Sequence, residues 1–172
     1  MATNLEFIKS ETSGSSVSSF SVDNIFSDDY QVYKILVKDL GLSGGTVDNI
    51  GIRFLDNTGT AITSANYDRA SLQLNSASAF AEEKATNLTD IGNTLITNSA
   101  GNYGNSAEFT IYNPYQSTYT FLNGITTSRN NANSGYLYAR KGIGVLKLTT
   151  SCRGIQFTGN GFQLKVSVYG VK

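Results

Sequence analysis

The sequence predicts an all-β fold, an antiparallel β-sandwich of the jelly-roll kind with at most one short helix. Three observations predict it. Apolar residues recur at a spacing of two in one segment after another, the pattern of a strand with one buried face. Turn-forming Gly, Asn, Asp and Ser separate these segments at intervals of about ten to fifteen residues, the rhythm of sandwiches and barrels. The composition is hydroxyl-rich and turn-rich: Ser, Thr and Asn supply 55 of the 172 residues and Gly 17, while Pro, Met and Trp together supply two. With 40% hydrophobic residues the chain has enough apolar surface to build a core, and its length suits one domain, residues 1–172.

Taken in order, Leu5, Phe7 and Ile8 open a first strand, and the Ser-rich stretch 10–19 reads as a loop or exposed edge before Phe20 and Val22 resume the alternation. In residues 30–39, Tyr33, Ile35 and Val37 face one way and Val32, Leu36 and two lysines the other, which predicts a strand near the middle of a sheet. Ile50, Ile52 and Phe54 form another, stopped by the turn Asp56-Asn57-Thr58-Gly59. Ala61 and Ile62 start a short return strand, and residues 67–74 carry Ala70, Leu72 and Leu74 at period two. The one predicted helix lies in residues 77–88, one or two turns long, with Ser78 as its cap and Glu82 four residues on.

Residues 94–97 read as a weak strand and 98–106 as a polar loop. Phe109 and Ile111 alternate up to Pro114, which cannot donate to a ladder and belongs in a turn. Tyr119 and Phe121 follow, then the polar loop 128–135, then strands from Tyr136 and from Ile143. At the C-terminus Ile155 and Phe157 are followed by Thr158-Gly159-Asn160-Gly161 and by the alternating run Phe162, Leu164, Val166, Val168. That pattern predicts a terminal β-hairpin whose apolar face a second sheet covers.

Charge and composition exclude several functions. Thirteen basic and thirteen acidic residues cancel without a run of either sign longer than two, so nothing marks a nucleic-acid or anionic-membrane partner. No stretch approaches the roughly 18 apolar residues of a membrane span, and the N-terminus lacks the basic and apolar regions of a signal, so a soluble chain made in the cytoplasm is expected. Accordingly the sequon Asn87-Leu88-Thr89 is one in form alone. Cys152 is the single cysteine, a small buried hydrophobe rather than a disulfide partner.

Catalytic patterns fail in the same way. Gly41-Leu42-Ser43-Gly44-Gly45 fits the G-x-S-x-G of a hydrolase elbow, but the chain contains no histidine to act as base. That absence, with one cysteine, also removes the usual zinc ligands. Asp28-Asp29 and Glu82-Glu83 are adjacent pairs, which in a strand point to opposite faces and do not form a glycosidase pair. Calcium at Asp56-Asn57 lacks the spaced acidic series of a calcium loop. No cofactor and no enzymatic activity are expected. Tyrosines near polar loops, Tyr103, Tyr115 and Tyr136 with Arg129 beside them, are the candidate interface or ligand contacts, since Tyr and Arg are enriched where proteins meet.

Four phrases extend this reading: NLEFIKSETSGSSVSSFSVDNIFSDDYQVYKILV, IRFLDNTGTAITSANYD, IYNPYQSTYTFLNG and GIGVLKLTTSCRGIQFTGNGFQLKVSVYG. Together they resemble small virion structural proteins of marine tailed bacteriophages, such as those infecting cyanobacteria. The resemblance implies a β-sandwich on the particle surface, often trimeric, with partners that are its own copies and other virion proteins such as the major capsid protein. No heptad run, G-X-Y repeat or stalk-like repeat marks a fibre shaft. A decoration or knob protein on the virion is therefore the expected function. A tail-fibre or receptor-binding tip recognising host-surface glycan comes next, and a free-standing carbohydrate-binding module third.

Overall fold

A computed structural model describes residues 4–42, 48–76, 79–92, 97–98, 105–130 and 136–172. Twelve strands are described: β1 (Leu5–Thr12), β2 (Val17–Val22), β3 (Val32–Leu42), β4 (Asp48–Asn49), β5 (Gly51–Leu55), β6 (Tyr67–Asn75), β7 (Ala81–Leu88), β8 (Thr97–Asn98), β9 (Asn105–Tyr112), β10 (Thr120–Asn130), β11 (Tyr136–Leu146) and β12 (Gly154–Val171). The described residues contain no helix, and every described pairing is antiparallel. The main sheet runs β1-β12-β3-β9-β10-β11-β6-β7, while β2 and β5 pair with β12 off this path and β4 pairs with β8.

The organising strand is β12, and it corrects the expected hairpin. Thr158 to Gly161 do not reverse the chain: one strand of 18 residues runs through them. Gly161 does take the left-handed conformation, at φ 61°, but it serves a bulge, where the register with β2 shifts between Thr158 and Phe162. The strand changes neighbours there. Its first part lies between β2 and β5, and its second between β1 and β3.

That change of partners makes two layers. Phe54 of β5 stacks its ring on Tyr67 of β6 with centroids 6.5 Å apart, and the Phe54 N–H donates to the Tyr67 hydroxyl at 3.1 Å. Phe26 meets Tyr33 of β3 edge to face at 4.7 Å. The core between the layers holds Ile52, Phe54, Ile155 and Phe157 from one side and Tyr33, Ile35, Phe109, Ile111 and Leu146 from the other, all fully buried. The sandwich inferred from alternation is thus the structure, and Tyr33, Ile35 and Val37 do face the core from a strand inside a sheet.

Two shorter expectations also hold. Asp56 Oδ1 accepts the Thr58 and Thr60 N–H groups at 2.8 and 2.9 Å, and Gly59 turns at φ 86°. Pro114 sits in a turn closed by Gln116 N–H to Asn113 carbonyl at 3.3 Å. Ala61 makes a single bridge to Leu55 instead of a strand. The Ser-rich stretch 10–19 mostly belongs to β1 and β2, both of which lie at sheet edges. Residues 94–96 of the predicted weak strand and 43–45 of the glycine motif lie outside the described residues.

The predicted helix is the clearest error. Residues 81–88 form β7, an edge strand paired with β6. Ala, Glu and Lys favour a helix, but a free helix of that length is marginal, whereas a strand here gains a ladder and two ion pairs. The expectation that Glu82 and Glu83 would point to opposite faces of a strand is realised in β7, where Glu83 turns inward and Glu82 stays exposed.

Candidate functional site

At the β10-β11-β6-β7 end of the main sheet the usual sidedness is reversed. The inward positions of β6 and β11 include Arg69, Gln73, Tyr138 and Arg140, on the same parity as the buried Tyr67 and Leu146. Glu83 of β7 joins the two arginines: its Oε1 lies 2.8 Å from Arg69 Nη2 and its Oε2 2.7 Å from Arg140 Nη1. Arg140 also donates to the Tyr138 hydroxyl at 3.0 Å and to Gln73 Oε1 at 3.3 Å, and Arg69 donates to the Gly92 carbonyl. Charge-assisted bonds of this kind let an otherwise costly polar layer be buried.

The apolar residues of the same strands face outward. Leu72, Phe121, Ile125, Leu137 and Ile143 are between 39% and 71% exposed and share one face of the sheet. Register aligns them in rows across the strands. One row runs Glu82, Leu72, Lys141, Ile125, Glu108 from β7 to β9, and the next runs Lys84, Ala70, Ile143, Asn123, Thr110. A trough of about 910 Å³ lies over these two rows. Beside it Phe121 and Tyr112 form a cross-strand pair, and the Asn123 amide donates to the Tyr112 hydroxyl at 3.2 Å.

Of the sequence candidates, Tyr115 alone has a described side chain. Tyr103 lies outside the described residues. Tyr115 is 39% exposed in the turn before β10. Arg129 and Tyr136, of which only the backbone is described, lie at the other end, where Arg129 pairs with Leu137 and Tyr136 with Asn130. Ten residue rises along β10 separate the two ends by roughly 34 Å. Tyr115 thus stands toward one end of the sheet, and the backbones of Arg129 and Tyr136 toward the other. Sequence reasoning saw the period-two repeat of Ala70, Leu72 and Leu74 but not its direction. The signal was the interleaved Arg69 and Gln73: the polar set as well as the apolar set repeats at two, and the inward-turned partner Glu83 decides which goes inside.

Cys152 is fully buried, and burial pushes its thiol up to about 12, which keeps it neutral and unreactive. Among the described residues no group of three or more His, Cys, Asp or Glu side chains is arranged to hold a metal ion.

No family model matches the chain. No curated protein matches it either. Among solved structures the chain is similar to the CBM2 module of Lactobacillus casei BL23 phage J-1 evolved Dit, at 11% identity and a TM-score of 0.25, over 90% of this chain and 69% of that one. Similarity at that level carries no argument about fold or function.

Proposed function

We propose that this chain is a non-enzymatic structural protein of a bacteriophage particle, a decoration or knob protein held on the capsid or another virion surface and made as a homotrimer. The observation that carries the reading is the reversed face: five large apolar side chains point outward while two arginines and a glutamate are packed inward. An exposed apolar sheet face with both signs of charge on it fits a protein contact, and it offers neither the positive field that nucleic acid needs nor an assembled catalytic group. The resemblance of the four sequence phrases to marine phage virion proteins supplies the setting. Contacts repeated over a lattice let modest individual interfaces hold together.

The test is rebinding of purified protein to particles stripped of it, with light scattering at micromolar concentration for oligomeric state. Attachment is expected for the parent chain and loss of attachment for Ile125→Asp, with the fold of the variant checked by circular dichroism. A monomer that ignores particles and binds host-cell glycans would replace this reading with the receptor-binding tip.

A further inference from the structure

The trough on the outer face is narrow in one direction and long in the other. Its lining takes three consecutive residues from β6, β7, β10 and β11, such as Lys141 to Ile143, and Glu108 and Thr110 from β9. Five neighbouring strands at about 4.8 Å give it a length of roughly 19 Å, and two residue rises give it a width of roughly 7 Å. A floor two residue rows wide and five strands long matches the footprint of one extended chain laid across the strands. At roughly 3.3 Å per residue, about six residues of extended polypeptide fill it.

The chemistry of the floor narrows the occupant further. Lys141 stands on the middle strand of the five, with Leu72 and Ile125 as its direct cross-strand neighbours and Ile143 two residues along. It is exposed and, among the described residues, has no ion-pair partner. Each end of the trough holds both signs: Glu82 stands two residues from Lys84, and Glu108 bonds Lys34 at 2.7 Å. The ends are therefore indifferent to charge, and the centre asks for an anion set among apolar groups. The large apolar side chains of the floor, Leu72, Ile125 and Ile143, are aliphatic, and the aromatic pair Phe121 and Tyr112 lies to one side, so stacking on sugar rings is not what the floor offers.

From this geometry we infer that the trough binds an extended peptide segment of a partner protein, about six residues long, with one carboxylate at its centre and apolar residues on both sides. The chain crosses the strands, so it is held by its side chains and not by adding a strand to the sheet. The inference deepens the attachment reading and rests on the same face, but it is measured without particles. A protein that holds particles yet ignores peptide keeps the attachment reading and loses this one.

The probes are two fluorescein-labelled, amidated peptides, Ser-Ile-Val-Glu-Val-Ile-Ser and its counterpart with Lys for Glu, titrated with the full chain by fluorescence anisotropy. The Glu peptide is expected to bind at least tenfold more tightly than the Lys peptide. Lys141→Glu should reverse that order, and Ile143→Asp should remove binding of both. Lys141 is exposed, so the charge swap reads the site even if the Ile143 variant fails to fold. Failure of both peptides to bind the parent chain overturns the inference, as does an unchanged preference in Lys141→Glu. Displacement of the peptide by soluble glycan would give the trough to sugar, and a dimer dissociated by Ile143→Asp would give it to a second copy.

Discussion

Val166 lies in β12 with Val37 of β3 on one side and Glu11 of β1 on the other, and no solvent reaches its side chain. An aspartate there would be a charge without a partner in an apolar layer. Val166→Asp is expected to cost roughly 3 to 5 kcal/mol, read as a fall in the urea midpoint at constant slope. This residue was legible in the sequence because its neighbours two positions away, Leu164 and Val168, are apolar and the residues between are Lys165 and Ser167. Leu72 was not legible in the same way. Its strand alternates as cleanly, yet the side that turns inward carries Arg69 and Gln73, and their partners Glu83 and Arg140 lie 14 and 67 residues away in sequence. Cys152 gives a second check at this scale. Iodoacetamide should leave it unmodified in the native protein and label it once urea unfolds the chain, with mass spectrometry counting the adduct.

Strands depend on what they pair with, and β7 and β12 show why some were read well and others not. Residues 158–161 carry the chemistry of a tight turn, and the conformation it predicts is present at Gly161. Whether a left-handed glycine reverses a chain or bulges it depends on the strands available to pair beyond it. Here β1 and β3 take the second part of β12, so the chain continues as one strand without reversing. Gly161→Ala should cost about 1 to 2 kcal/mol, because an L side chain is strained in that region of φ, and urea unfolding measures it. In β7 the local preference points to helix, and long-range pairing overrides it. Glu83→Gln removes the charge that joins Arg69 and Arg140, leaving two guanidinium groups facing each other. Because Glu83 is about a third exposed, the expected loss is about 1 to 2 kcal/mol, well below the figure for a fully buried pair. A variant as stable as the parent would show that the arginines are held by other groups.

The whole molecule joins two layers through one bent strand, and its titrating groups surround a broad neutral window. The alternation in β3, β5, β9 and β12 made the sandwich legible, since their apolar sides all face the common core. The outer trough was not legible, because it exists only once β7, β6, β11, β10 and β9 stand side by side. The same assembled structure fixes how stability should respond to pH. Asp68 is held below the usual carboxylate range by the hydrogen bond from Lys147, and Asp56 by the hydrogen bonds from Thr58 and Thr60. Groups lowered in the fold stabilise it above their ordinary range and lose that contribution as pH falls through the folded value, so the acid limb lies below about pH 4. Cys152, Tyr33 and Tyr67 are shifted the other way, each by burial that disfavours the charged form. Groups raised in the fold stabilise it below their ordinary range and lose that contribution as pH rises, so the alkaline limb begins above about pH 8.5. Between the limbs the side chain that normally titrates is histidine, and the chain has none. The melting temperature should therefore be flat from about pH 5 to 8 and fall on both sides. Cys152→Ala should weaken the alkaline limb without altering the acid one. Differential scanning calorimetry from pH 3 to 11 measures both, and a slope across the neutral window would mean that some carboxylate is shifted upward into it by its surroundings.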